Sequence, residues 1–205
     1  ARALAAAEPF FEKYPLRSRS DSAVLLLESS TLPGAEVADF VAARCGVEPS
    51  RLTLIAASTG SLAGCTQIAA RSVETALHKL MELEFDLGAI VAGVGVCPVA
   101  PGIPDALRAI GRTNDAVLYG AAVSLWVRCD DRAIEEIVER LPSSSSKDYG
   151  RLFYDLFKEH GDFYRIDPML FSPAQVTLVN AASGRVFSAG AIDEAMLRKS
   201  FGIGG

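Results

Sequence analysis

Arg71 and Glu74 are the residues whose types and spacing point most directly to chemistry. Three positions apart on a helix, a guanidinium and a carboxylate touch, each limits the other's rotamers, and the carboxylate's pKa falls. The spacing also suits an ordinary solvated ion pair on an exposed face, contributing about 0.5 kcal/mol. Gln67 and His78 extend the pair into a polar stripe at i, i+4, i+7 and i+11, within an arc of roughly 60° at 100° per residue. On the other side fall Leu62, Ala69, Val73, Ala76, Leu77, Leu80 and Leu83, so the pattern predicts one long helix from Leu62 with a face turned to a core.

The elements around this stripe alternate. Leu52 to Ala57 is an apolar, β-branched run too short for a helix and reads as a buried strand, broken by the turn Ser58-Thr59-Gly60-Ser61. Upstream, Ala23 to Leu27 reads as a strand buried on both faces, and Ala35 to Arg44 as a helix closed by Gly46. This β-α-β-α order predicts an α/β fold: layered, with a mostly parallel or mixed sheet, covering helices, and a C-terminal β-hairpin plus helix. Ala89 to Val94 is a further strand, leading into a proline-rich segment that ends at Pro104. Gly93-x-Gly95 looks like the start of a dinucleotide fingerprint, but the third glycine falls at Pro98 and no helix opens there, so nicotinamide binding is not expected.

Gly111-Arg112-Thr113-Asn114-Asp115 reads as a polar loop, either touching a ligand or bonding its own backbone in a turn. A strand from near Ala116 through Val127 should follow, bent at Gly120, with Trp126 in the core. Asp130-Asp131 cap a helix from Arg132 to Leu141, and Pro142 to Ser146 is a short flexible connector, a possible subdivision near 142–147. A helix from Lys147, an aromatic-rich link over 162–168, a hairpin of Ala174 to Val179 with Arg185 to Ala189, and a last helix from Asp193 to Ser200 complete the chain.

Composition excludes several classes. With 205 residues, 50% apolar, 22% charged and a net charge of −5, the chain is globular, and it lacks the basic patch of a nucleic-acid or anionic-membrane binder. No apolar run approaches the roughly 18 residues of a membrane span and no secretory leader is visible, so the expected location is cytoplasmic. Cys45, Cys65, Cys97 and Cys129 are scattered without a C-x-x-C pair, and two histidines do not complete a zinc set, so no metal is expected. Ala1 to Ala7 is helix-forming but has no methionine or cap, as though the chain were cut from a longer one.

Seven segments together resemble methenyltetrahydromethanopterin cyclohydrolase, an enzyme of one-carbon metabolism in methanogenic archaea and methylotrophic bacteria. They are Leu26-Leu-Glu-Ser-Ser30, Gln67-x-x-x-Arg71-x-x-Glu74, Gly111-Arg-Thr-Asn-Asp115, Leu141-Pro-Ser, Asp162-Phe-Tyr-x-Ile-Asp-Pro168, Phe171-x-Pro-Ala174 and Ser200-Phe-Gly202. The resemblance spans the whole chain as one domain, 1–205, matching the family's C-terminal two thirds; the family's chain has a further N-terminal part. It implies hydrolysis of 5,10-methenyl-tetrahydromethanopterin to the 5-formyl compound, with the pterin as substrate and no permanently bound cofactor. It also implies two α/β parts flanking a cleft, a homotrimer, and a cleft incomplete without the N-terminal part. Glu74 matches the family's catalytic glutamate, positioning and deprotonating water, and Arg71 its partner. Gln67, Arg112, Thr113, Asn114 and Asp115 become candidates for the water or the pterin edge, and Ser58, Thr59 and Ser61 for an anionic part of the cofactor tail. A non-catalytic assembly domain of the same family, or a cyclohydrolase for the folate analogue, are the alternatives.

Overall fold

The computed structural model describes every residue except Pro9, Pro15 and Gly205, and the chain divides into two compact units, Ala1–Thr59 and Gly60–Gly205. In the first unit, α1 (Arg2–Ala5) and α2 (Phe10–Lys13) precede β1 (Ala23–Glu28), α3 (Ala35–Cys45) and β2 (Leu52–Ala57). The strands pair in parallel from Ala23↔Leu52 to Glu28↔Ala57, and α3 supplies the crossover that parallel strands need. Gly46 ends α3 at φ 67°, a left-handed turn, and returns its N–H to the carbonyls of Ala42 and Ala43. β1 is not buried on both faces as its apolar run predicts. It belongs to a two-stranded sheet, and Val24 and Leu26 are 58% and 46% exposed.

The second unit runs α4 (Leu62–Ala69), α5 (Ser72–Glu82), β3 (Ile90–Val96), α6 (Ala106–Gly120), β4 (Ala122–Val127), α7 (Asp131–Glu135), α8 (Phe153–His160), β5 (Gln175–Asn180), β6 (Val186–Gly190) and α9 (Glu194–Phe201). Its sheet has the order β3-β4-β5-β6, with only the central β4–β5 pair parallel, so it is mixed. Alternation sends Val123, Leu125 and Val127 of β4 and Val176 and Leu178 of β5 to one face. There they pack with Ala76, Leu80 and Leu83, and with Ile134, Ile137, Val138 and Leu141. Trp126, between two inward residues, is turned outward and 37% exposed, so strand parity overrides the size that suggested a core position.

A second core forms where α6 meets α8 and α9, from Leu118, Tyr119, Phe153, Leu156, Ile166 and Leu170. The Tyr119 hydroxyl donates to the Arg151 carbonyl at 2.6 Å and accepts from Gly150 N–H at 3.2 Å, so its polar end is satisfied inside an apolar cluster. Residues 111–120 belong to α6 and are neither a polar loop nor the start of a strand. The helix expected over 132–141 is α7 followed by a tighter turn, Val138–Arg140, and the one expected from Lys147 begins at Phe153. The serine run after Pro142 lies inside the second unit and is fixed: the buried Ser143 hydroxyl donates to the Leu118 carbonyl, and Ser146 donates to Asp167.

Candidate active site

The polar stripe is not one helical face, because the helix breaks at Ala70 and Arg71. Arg71 N–H bonds back to Ile68, three residues earlier, which tightens the end of α4, and Arg71 with ψ 9° becomes the N-cap of α5. Its carbonyl then accepts from both the N–H and the hydroxyl of Thr75, opening the new helix. Gln67 is therefore left half-buried in the last turn of α4, while Arg71 and Glu74 share the first turn of α5.

Across that turn the expected contact forms in its strongest geometry. Arg71 Nε donates to Glu74 Oε2 and Arg71 Nη2 to Oε1, both at 2.9 Å, a two-pronged pairing that fixes the carboxylate's plane. A carboxylate in the first turn also sits at the favourable end of the helix dipole. Their side chains are 53% and 54% exposed, so water reaches the carboxylate and the pair adds little to stability. His78, one turn further along, is exposed, with Nε2 3.8 Å from the Glu82 carboxylate.

The opposite side of α5 holds a residue that the sequence reading passed over. Lys79 is fully buried, and its ammonium donates to the Ser145 hydroxyl at 3.1 Å and to the Met169 carbonyl. Position 79 is three after Ala76 and four before Leu83, so its place on the core stripe was readable from the helical period. Burial pushes its pKa down to about 8, reinforced by Arg140 and opposed by the carboxylates of Asp167 and Glu82. Between about pH 8 and 10.5 the folded chain thus binds fewer protons at this group than the unfolded chain, and its contribution to stability rises with pH. Lys79→Met should stay close to wild type in thermal unfolding at pH 7, since an apolar replacement removes a buried charge. At pH 10 the wild type should gain on the variant; a pH-independent difference counts against this assignment.

The candidates of α6 divide by depth. Thr113 and Asp115 are 1% exposed, whereas Arg112 and Asn114 are half-buried. Thr113 hydroxyl donates to the Ala109 carbonyl at 2.9 Å, and Asn114 Nδ2 donates to that of Ile110 at 2.9 Å. Arg112 Nε donates to the Ser200 carbonyl at 3.1 Å, in the last turn of α9. Asp115 accepts from Phe153 N–H at 2.9 Å and from the Ser200 hydroxyl at 2.6 Å, tying α6 to α8 and α9. Desolvation raises its pKa to about 6 against the lowering effect of those two bonds, with Asp155 adding to the rise.

Among the earlier serines and threonines, Thr59 is buried and donates to Glu28 within the first unit. Ser61 caps α4, its hydroxyl accepting from Gly64 N–H at 3.0 Å. Ser58 follows β2 and is half-buried. Cys97 is pushed up to about 12 by burial and its thiol donates to the Ala116 carbonyl, an inert setting for a thiol. Among the described residues no group of three or more His, Cys, Asp or Glu is arranged to hold a metal ion, and no helix is long and apolar enough to cross a membrane.

Comparison with known proteins covers nearly the whole chain. A family model described as "Cyclohydrolase (MCH)" matches residues 1–201. A methenyltetrahydromethanopterin cyclohydrolase of Xanthobacter autotrophicus is 48% identical over 202 residues, 98% of this chain and 60% of that protein. The protein of that name from Rhodopirellula baltica is 51% identical over 186 residues, 89% of this chain and 56% of that one. The one from Methanothermobacter marburgensis is 42% identical over 196 residues, 94% of this chain and 61% of that one. The chain spans about 60% of the length of these relatives, and with a match running from its first residue to Phe201 it belongs to the cyclohydrolase (MCH) family.

Proposed function

We propose that the chain carries the Arg71–Glu74 half of a site that hydrolyses 5,10-methenyl-tetrahydromethanopterin to 5-formyl-tetrahydromethanopterin. The observation that carries the reading is the two-pronged pairing of Arg71 with a half-exposed Glu74, in a chain whose relatives bear that enzyme's name. The methenyl carbon bridges two nitrogens as an amidinium-like cation and is already electrophilic. The protein must supply an oriented water, a base and control over which carbon–nitrogen bond opens.

Water's oxygen bonds to the methenyl carbon as Glu74 takes one of its protons. The resulting carbinol collapses to a carbonyl, the carbon–N10 bond breaks, and its electron pair goes to N10 with one proton. The second proton leaves to solvent, so one water is consumed and one proton released. Arg71 holds the carboxylate's plane toward the water throughout. Gln67, Arg112 and Asn114 are the proposed contacts for the water or the pterin edge, with Thr113 and Asp115 holding α6 beneath them. Homotrimeric assembly and a cytoplasmic location belong to the same proposal, and a monomeric solution mass would remove the first.

The methenyl substrate absorbs in the near ultraviolet and the formyl product does not, so the chain joined to the N-terminal part of a relative should bleach it faster than buffer alone, and the chain by itself more slowly than that. No acceleration sinks the proposal. Bleaching confined to the folate analogue would reassign the substrate.

A further inference from the structure

The two glycines that imitate a dinucleotide fingerprint have a different use in this fold. Gly93 and Gly95 pair with Leu125 and Val123 of β4, and so face the core that α5 covers. A Cβ at Gly95 would stand 2.5 Å from Ser72 Oγ, 3.0 Å from Val73 Cγ2 and 3.3 Å from Val123 Cγ2. At Gly93 it would stand 2.7 Å from Leu125 Cδ2 and 3.1 Å from Val73 Cγ1. Neither glycine has a positive φ, so the backbone there suits any residue, and it is the packed neighbours that exclude a side chain: β4 first at Gly93, α5 first at Gly95.

The two positions differ in what must yield. Leu125 Cδ2 is the end of a longer, flexible side chain that belongs to β4 and not to the helix. Ser72 Oγ is one bond from a Cβ fixed to the helix and Ser72 is 3% exposed, while Val73 beside it, 3.0 Å from the added Cβ, is β-branched and held to one preferred rotamer in a helix. A side chain at Gly95 therefore pushes on the first turn of α5 itself. Ser72 lies between Arg71, the N-cap, and Glu74 in that same turn.

We propose that Gly95 is a positioning residue for the Arg71–Glu74 pair: by lacking a side chain it lets the first turn of α5 settle against β3 and so sets where the carboxylate stands. The proposal rests on the hydrolase reading given above. Misplacing a reacting group by about 1 Å can cost on the order of 10²-fold in rate. Gly95→Ala should lower kcat about tenfold or more, with KM changed by no more than about twofold. Ser72→Ala alone should turn over like wild type, and Ser72→Ala combined with Gly95→Ala should recover most of the loss, because the 2.5 Å contact is gone. A general loss of stability would not be reversed by removing one hydroxyl.

The experiment is steady-state kinetics on the wild type and these three variants, with amide chemical shifts of Arg71 to Thr75 read in parallel. Shifts displaced in Gly95→Ala and restored in the double variant, together with the kinetic rescue, support the proposal. Wild-type kcat in Gly95→Ala, or no recovery in the double variant, overturns it while leaving the hydrolase reading in place. If Gly95→Ala does not fold, the double variant must fold and turn over within a few-fold of wild type. An inactive wild type removes the hydrolase reading; unchanged shifts in Gly95→Ala then overturn the positioning role of Gly95 on their own account.

Discussion

Glu74→Gln should lower turnover by about 10²-fold or more and leave the fold intact. The amide keeps the size of the carboxylate and one acceptor for Arg71, but it removes the negative charge and the basic oxygen. A cationic substrate should therefore bind somewhat less well, and the larger loss should fall on kcat, since the proton moves only in the transition state. Arg71→Lys should be milder, because an ammonium keeps the charge but cannot make both 2.9 Å bonds in one plane. With both side chains about half exposed, neither change should alter stability by more than about 0.5 kcal/mol. Kinetics with circular dichroism decide the matter: near-wild-type turnover in Glu74→Gln leaves the mechanism without its base.

The largest expected effect on stability lies at Asp115. Asp115→Ala leaves the buried Phe153 N–H and the half-buried Ser200 hydroxyl without their acceptor, a cost of roughly 2–4 kcal/mol. For a chain of this length that is roughly 5–15 °C in Tm. Asp115→Asn keeps an acceptor for Phe153 and turns a donor toward Ser200, so it should fold well, and it isolates the charge. The carboxyl's pKa is raised in the fold to about 6 from 3.8, so the native chain binds more protons than the unfolded chain between those values. The contribution of this group to stability therefore falls as pH rises from about 4 to 6 and stays low above, by an amount on the order of 3 kcal/mol. Denaturant unfolding across that window should show Asp115→Asn gaining on wild type up to about pH 6 and then running parallel. A constant difference from pH 4 upward would show that the buried carboxylate is not titrating there.

Much of the scaffold was legible because local chemistry and tertiary structure agree. The strand Leu52–Ala57, the helix closed by Gly46, the C-terminal hairpin and the last helix all lie where turn residues and periodicity put them. The Arg71–Glu74 contact was legible too, because i,i+3 spacing survives as long as both residues share one turn. The break before it was not: Ala69-Ala70-Arg71-Ser72 contains no glycine or proline, and the bond from Arg71 N–H back to Ile68 that marks the break has no signature in the residue types. The interior of α6 misled for the opposite reason. Gly111, Thr113, Asn114 and Asp115 are poor helix formers, yet Thr113 and Asn114 bond carbonyls one turn back. Gly111 makes room for the Tyr154 backbone, and Asp115 ties in two other helices. Tertiary contacts outweigh propensity there. Lys79 escaped because a lysine among apolar residues is ordinarily taken for a surface residue, whatever its place in the period.

The parallel pairing at the centre of the sheet bears on how this chain reaches its fold. β5 and β6 are joined by a short turn, and their pairing is local, whereas β5 meets β4 only after the whole crossover has been gathered in. Asn180 reaches the Cys129 carbonyl from 51 positions away, and Lys79 reaches Met169 from 90. Closing a loop of that size costs roughly 2 kcal/mol more in chain entropy than closing the hairpin. The hairpin and the single helices can therefore form and dissolve many times before the crossover docks, so docking of the central pair of strands should set the pace of refolding.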